Sequence, residues 1–276
     1  MAQPKKQIEQ NVASHYDGAA FQAELMRLPQ NCPVELAVTL RWLGRITRAG
    51  DVVAEIGVGG GHYTEFLARR GCRLRLIDIS ARLLDAVEEK LHQSGLGGSI
   101  DGRTQASSTN LEGVSTESVD VVLLLGPLYH LQSLIERQSS VQESARILKP
   151  GGSLFAAGIN RLAYFRDLLR MKFAPASQRV AFHHQYLRDG NVDPEHAPPL
   201  GYGHLSTASE FLDLFGDRFE KMAFLGVESF TSAWQEVFGE LPAAEKEVWL
   251  DLVEDTCQTP EGIGQSDHFL FLGRKL

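Results

Sequence analysis

The stretch Val52-Val53-Ala54-Glu55-Ile56-Gly57-Val58-Gly59-Gly60-Gly61-His62-Tyr63 decides the fold of this chain. An apolar run ends in a glycine-rich turn, and a helical pattern follows over 63–70. A second apolar run, Cys72-Arg73-Leu74-Arg75-Leu76-Ile77, stops at Asp78. Strand, turn, helix, strand and acid make one βαβ unit of a nucleotide-type site. Glycines without a Cβ let backbone approach a ligand closely. The helix that follows offers unpaired N–H groups. A carboxylate at the tip of the second strand can accept both hydroxyls of a ribose.

The turn also discriminates between ligands. A dinucleotide fingerprint has glycine at its first, third and sixth positions. Counting from Gly57, the sixth position is His62, and the glycines fall at Gly57, Gly59 and Gly61, with Gly60 extra. Glu55 precedes the first glycine by two residues and is expected to face the turn, where an acid suits a cationic amine and repels a pyrophosphate. S-adenosylmethionine carries an α-amino group, a sulfonium and a ribose, and no phosphate. The residues therefore favour it over NAD.

The chain has 276 residues and a net charge of −8, which argues against a broad polyanion-binding surface and hence against nucleic acid as substrate. Arg161, Arg166, Arg170 and Lys172 form a local basic strip, read as a solvated helix face. Cys32, Cys72 and Cys257 are far apart and odd in number, so neither a disulfide framework nor a metal cluster is expected. No run approaches a membrane span, and residues 1–10 are polar without the apolar core of a signal peptide. A reducing cytoplasm is the expected location, with a monomer or homodimer as the assembly.

Residues 7–48 read as helical, broken by Pro29 and Pro33. Strands are predicted at 52–56, 73–77, 100–105, 119–125 and 153–157, and helices at 63–70, 81–93 and 136–148, with Ser80 capping the second. Lys149-Pro150-Gly151-Gly152 reads as a helix stop and turn. The alternation means a parallel sheet with right-handed crossovers. After Gly158 the rhythm changes: helix, then a His/Pro/Gly-rich loop to 205, a short helix at 209–215, a strand at 219–230, helix over 232–256 and a strand at 267–275. The last two strands can pair antiparallel at a sheet edge. The expected organisation is an N-terminal helical lid over 1–48 and a main domain over 49–276, with lid insertions at about 160–206 and 231–265.

From about Ala49 to Leu276 the chain resembles the class I S-adenosylmethionine-dependent methyltransferases. The glycine turn with Glu55, the strand-end Asp78, the run Val119-Asp120-Val121-Val122-Leu123-Leu124-Leu125-Gly126 and Leu148-Lys149-Pro150-Gly151-Gly152 follow that family's order. Gly126-Pro127-Leu128-Tyr129-His130-Leu131 looks like a bacterial subgroup of small soluble methyltransferases. The resemblance implies an α/β, Rossmann-like fold: a seven-stranded, mostly parallel sheet with an antiparallel last strand and helical lid insertions. It implies that Glu55 and the glycines hold the methionine part of the cofactor, that Asp78 binds the ribose and that Ile79 packs on the adenine. Where the family often has an acid at the adenine amino group, this chain has Ser107 and then Ser108, so the charge is missing. Leu125 and Gly126 would offer backbone to the methionine end. Tyr16 belongs to a segment that folds over the cofactor in similar enzymes.

Methyl transfer from a sulfonium is an in-line displacement that asks the protein mainly for orientation. A hydroxyl or ammonium acceptor also needs a base, and histidine suits that near neutral pH. His130, with Tyr129 beside it, follows the fourth strand where the methyl should sit; the alternative is that the two only cap and pack a helix. Substrate contacts are expected from Arg161 and Tyr164 at the start of the insertion, and from His183 and His204 within it. Arg161 would suit a carboxylate or phosphate. For the His183–His184 pair a solvated loop is the preferred alternative to a metal or base. Asp189, Asp193, Glu195 and His196 are explained as well by a polar loop, so no metal is expected. Trp234 and Trp249 are assigned to helix packing and Asp120 to structure. The expected activity is methyl transfer to a small-molecule acceptor. An NAD-dependent oxidoreductase and a non-catalytic nucleotide-binding regulatory module are the alternatives.

Overall fold

The computed structural model describes residues 5–18, 20–171 and 176–276. Three helices come first, α1 (Lys5–Asp17), α2 (Phe21–Asn31) and α3 (Pro33–Ile46). Pro33 opens α3 at its first turn, where its missing N–H costs nothing. Pro29 does not break the helix as expected but lies inside α2. A proline there deprives the carbonyl four residues back, that of Leu25, of its helical donor. The His62 ring nitrogen, 3.0 Å away, takes that carbonyl instead. The residue that spoils the dinucleotide spacing thus ties α2 to the glycine turn.

The chain then alternates through β1 (Val52–Ile56), α4 (His62–Arg69), β2 (Arg73–Asp78), α5 (Ala81–Gln93), β3 (Ile100–Gln105), β4 (Val119–Leu124), α6 (Leu134–Ile147) and β5 (Leu148–Ile159). Next come α7 (Ala163–Met171), α8 (Val180–Asp189), a two-residue pair β6 (Asn191–Val192) and β7 (Gly203–His204), and α9 (Ala208–Leu212). The end is β8 (Phe219–Gly226), α10 (Gln235–Glu240), α11 (Ala243–Thr256), α12 (Pro260–Gln265) and β9 (His268–Lys275). Seven strands form one sheet in the order β3-β2-β1-β4-β5-β9-β8. The first five are parallel, and β9 runs antiparallel between β5 and β8.

Every residue of β1 is buried, as a central strand covered on both faces requires. On one face, Val53, Leu74, Leu76 and Leu123 pack against α2–α5 and α11. On the other, Ala54, Ile56, Val122 and Leu154 pack against α6 and Phe211 of α9. The segment Lys149–Gly152 stops α6 but is not a separate turn. Leu148 already pairs with Val119 and Ser153 with Val121, so the intervening residues bulge from β5, with Gly151 at φ +75°. Asp120 staples three strands, accepting from the Val52 amide at 2.9 Å and from Lys149 Nζ at 2.6 Å.

Two surface expectations change. Trp234 is 60% exposed rather than packed, whereas Trp249, 40% exposed, packs on Phe230 with ring centroids 6.2 Å apart. The basic strip is not a free cationic face: Arg166 and Arg170 both bond Asp267, at 2.5 and 2.7 Å. Lys172 lies outside the described residues. A buried ion cluster joins α3 to the sheet edge, where His268 Nδ1 lies 2.5 Å from Glu228 Oε1 and 3.6 Å from Glu35 Oε2. No helix among the described residues is long and apolar enough to cross a membrane.

Candidate functional site

The strand order reverses between β1 and β4, so their connections leave in opposite directions and a crevice opens beyond their carboxyl ends. A cavity of about 780 Å³, counting its open mouth, occupies that crevice. Gly57 and Gly59 floor it in left-handed conformations, φ +85° and +48°. A Cβ on Gly57 would come 3.0 Å from Pro127, and one on Gly59 would come 2.9 Å from Glu24 Oε1. Gly61, at φ +68°, caps α4 against Val87 behind the cavity wall.

Asp78 ends β2 and lines the cavity. Its Oδ2 accepts from the Val58 amide and its Oδ1 from the Ser80 amide, each at 2.8 Å. Burial pushes its carboxyl up to about 6, against the pull of these backbone donors. Ser80 caps α5 through the Leu83 amide at 3.0 Å, as its sequence position implies. Ile79, Ala106, Ser107 and Ser108 continue the wall, and Gly126, Tyr129 and His130 close the far side. Leu125 is buried below, its carbonyl accepting from the Tyr129 hydroxyl at 3.4 Å.

Glu55 does not face the crevice. It is 2% exposed, accepts from Thr64 Oγ1 at 2.5 Å, and burial pushes its carboxyl up to about 8. The acid that reaches the glycine turn is Glu24 of α2, whose carboxyl is raised by burial and pulled back by Arg27. Arg27 Nε donates to Glu24 Oε2 at 3.1 Å and its Nη1 lies 3.6 Å from Glu35. Sequence reasoning missed Glu24. Its one signal was a charged pair at i, i+3 on an otherwise half-apolar helix. The cavity lining holds four carboxylates, Glu9, Glu24, Asp78 and Glu136, and no lysine or arginine among the described residues.

Helix α1 roofs the cavity through Glu9, Val12 and Tyr16. Ser107 Oγ donates to Glu9 Oε1 at 2.7 Å. The Tyr16 hydroxyl lies 2.8 Å from His130 Nε2, and His130 Nδ1 lies 3.2 Å from the Tyr202 carbonyl. A carbonyl only accepts, so Nδ1 carries the hydrogen and Nε2 accepts from Tyr16. Burial holds the imidazole neutral, down at about 4.

The four residues expected at the substrate stand elsewhere. Arg161 is buried and tied to the Leu205 carbonyl at 3.1 Å and to Glu210 at 2.5 Å, joining α9 to the end of β5. Tyr164 packs with Tyr186, ring centroids 4.6 Å apart, in a small core of the inserted segment, and His183 packs edge-on to Tyr164 at 5.8 Å. His204 Nδ1 bonds Asn191 at 2.9 Å across the β6–β7 pair. None of them lines the cavity.

Comparison with known proteins agrees with this geometry. Residues 54–156 match the family described as "Methyltransferase domain". A ubiquinone biosynthesis O-methyltransferase of Cupriavidus pinatubonensis is 33% identical over 123 residues, 44% of this chain and 47% of that one. The chain thus matches about half the length of such curated relatives. Among solved structures, a S-adenosylmethionine-dependent methyltransferase of Methanosarcina mazei superposes with a TM-score of 0.56 at 19% identity, over 85% of this chain and 97% of that one. The geranyl diphosphate C-methyltransferase of Streptomyces coelicolor, solved with Mg2+, geranyl diphosphate and S-adenosyl-L-homocysteine, superposes with a TM-score of 0.60 at 12% identity, over 99% and 100% of the two chains. Turn glycines at positive φ, a carboxylate at the tip of β2 and a cavity rich in acids are compatible with the methionine-tailed nucleoside that such domains use. Residues 54–156 thus match the methyltransferase domain family, and the chain around them has the fold of S-adenosylmethionine-dependent methyltransferases of known structure.

Proposed function

We propose that this protein transfers the methyl group of S-adenosylmethionine to a small-molecule acceptor. One observation carries the choice of ligand: among the described residues, four carboxylates and no lysine or arginine line the cavity, which suits a sulfonium and an ammonium and opposes a pyrophosphate. In this reading Asp78 accepts the ribose hydroxyls, and Ile79 and Ala106 enclose the adenine. Ser107 and Ser108 meet the adenine edge. Gly57, Gly59, Gly126 and Glu24 hold the amino-acid end. When bound, S-adenosylmethionine supplies an electrophilic methyl on a positively charged sulfur. The residues around it orient the acceptor, exclude water and receive a proton. Tyr129 and His130 border the end where the methyl would lie. The described parts of segments 1–48 and 160–206 act as covers over the central domain, whereas α10 and α11 of segment 231–265 bury Phe238, Leu250 and Val253 in its core.

An oxygen acceptor is supported by the names of the curated relatives, which are O-methyltransferases. Calorimetric titration with S-adenosylhomocysteine and with NAD tests the cofactor. Binding of the first and not the second is expected, and the reverse overturns the reading. Release of S-adenosylhomocysteine with an acceptor present separates an enzyme from a module that only binds.

A further inference from the structure

A second cavity, of about 670 Å³ with its mouth, opens between α1 and the loop before β7. It shares three lining residues with the first: Val12, Tyr16 and His130. These three form the wall common to both cavities, and the polar side-chain atoms they present are the Tyr16 hydroxyl and the His130 ring. The rest of its lining includes His15, Tyr202, Pro194 and Leu200, and no aspartate, glutamate, lysine or arginine among the described residues. Rings, a leucine and the uncharged Asn11 and Ser14, with no aspartate, glutamate, lysine or arginine beside them among the described residues, make a poor site for a charged ligand. They make a good one for a flat, neutral molecule.

We infer that this second cavity receives the methyl acceptor, an uncharged ring bearing a hydroxyl, and that Tyr16, hydrogen-bonded to His130, takes the acceptor's proton. The inference rests on the methyl-transfer reading above and adds the acceptor's class, its door and the fate of its proton. As the acceptor oxygen bonds to the methyl and the S–CH3 bond breaks, the acceptor's O–H proton passes to the Tyr16 oxygen. Tyr16's own proton passes to His130 Nε2. The positive charge lost at sulfur reappears on the imidazolium, whose Nδ1–H stays on the Tyr202 carbonyl. Tyr16 touches the acceptor and is the catalytic residue. His130 acts through it.

Phenol serves as the probe, added at millimolar concentration to protein loaded with S-adenosylhomocysteine and followed by saturation-transfer NMR. Phenol binds the parent. Leu200→Trp, which fills only the second cavity, abolishes that binding while calorimetry shows cofactor-product affinity within about threefold of the parent. Ser14→Trp, on an exposed position of the same lining, repeats the result where Leu200→Trp fails to fold. With labelled S-adenosylmethionine, Tyr16→Phe lowers methylation of phenol by about 100-fold or more, the span of general-base catalysis. It lowers methylation of thiophenolate, which has no proton to give up, by less than about threefold. Loaded protein that ignores phenol, phenol binding that survives both tryptophans, bound phenol that the parent never methylates, or equal losses on phenol and thiophenolate each overturn the inference. Protein that binds no S-adenosylhomocysteine overturns the methyl-transfer reading instead.

Discussion

Asp78→Asn perturbs the cofactor site with the least collateral damage. Each Asp78 oxygen has two lone pairs, and each already spends one on a backbone amide, Val58 for Oδ2 and Ser80 for Oδ1. One lone pair per oxygen is left for a ribose hydroxyl. Asparagine keeps one such oxygen and places an amide group where the other was, so one ribose hydrogen bond and one backbone partner are lost together. A hydrogen bond to a charged group is worth about 1.5–3 kcal/mol, which is roughly 10- to 150-fold in S-adenosylhomocysteine affinity. The orphaned amide costs the fold about 1–3 kcal/mol, a drop in Tm of about 2–12 °C for a chain of this size. Calorimetry reads the affinity and calorimetric melting reads the fold.

A 2′,3′-dideoxy analogue of S-adenosylhomocysteine separates the two losses. The parent binds it weakly, whereas the asparagine variant, having lost the charge, distinguishes it much less from the natural ligand. The ionised carboxyl is the form that accepts hydroxyls, and its pKa is raised to about 6 in the free protein. Parental affinity therefore falls as pH drops through about 6, and the variant lacks that dependence. An Asp78→Asn protein whose affinity stays within about threefold of the parent would remove Asp78 from the ribose.

Three further outcomes follow from charges the structure positions. Glu24→Gln lowers S-adenosylhomocysteine affinity about tenfold or more, by the value of a charged hydrogen bond, whereas Glu55→Gln, behind the wall and held largely protonated near neutral pH with its carboxyl up at about 8, changes it little; the opposite ranking in calorimetry would restore Glu55 to the amine. Glu228→Gln strips a buried imidazolium of its nearest partner and costs roughly 3–5 kcal/mol in denaturant unfolding. His268 is pushed up to about 10 by Glu35 and Glu228 against the cost of burial, with Asp267 adding to the same side. Its stabilisation is complete below the unfolded pKa of about 6.5 and lost as pH rises through about 10, so melting curves of the parent fall across that window and those of Glu228→Gln fall less. Because burial lowers His130 to about 4, kcat for a hydroxyl acceptor, read at saturating S-adenosylmethionine so that the titration of Asp78 does not enter, holds down to about pH 4–5; an acid limb in kcat near pH 6.5 would show an imidazole in water.

Local signals in the chain translated into structure where the physics is local. The glycine turn, the Ser80 cap and the strand-end Asp78 depend on neighbours within a few residues, and they stand where periodicity and spacing put them. The parallel sheet also follows from alternation, with β9 returning antiparallel. What the sequence concealed are pairings across long separations. Arg161 looked like an anion receptor until its guanidinium met Glu210, 49 residues on. Pro29 looked like a helix break because the donor that rescues the Leu25 carbonyl sits 37 residues away at His62. Glu24 stands at the turn where Glu55 was expected, for a related reason. An acid two residues before the turn points along a buried strand, while one on a separate helix is carried to the mouth by tertiary packing alone.

The same distinction explains how a cavity roofed by α1 can be filled. Helix α1 supplies none of the fully buried apolar side chains of the described core. It is held to the domain by Ser107 on Glu9, Tyr16 on His130, Ser80 on Asp17 at 2.5 Å and Arg82 on the Asp17 carbonyl at 2.6 Å. At about 1.5–3 kcal/mol for each of the three that involve a charged group and about 0.5–1.5 for the fourth, these ties sum to about 5–11 kcal/mol. Because none of them engages a fully buried apolar side chain, the helix can lift as a minor state and admit a ligand without disturbing either core. Glu9 and Tyr16 also line the cavity. A bound ligand therefore adds contacts to the lid itself, and at about 100 times its Kd it contributes about 2.7 kcal/mol toward closure if it binds only the closed form. The closing contact is the Tyr16–His130 bond, so shutting the lid over the cofactor also assembles the pair assigned to the acceptor's proton.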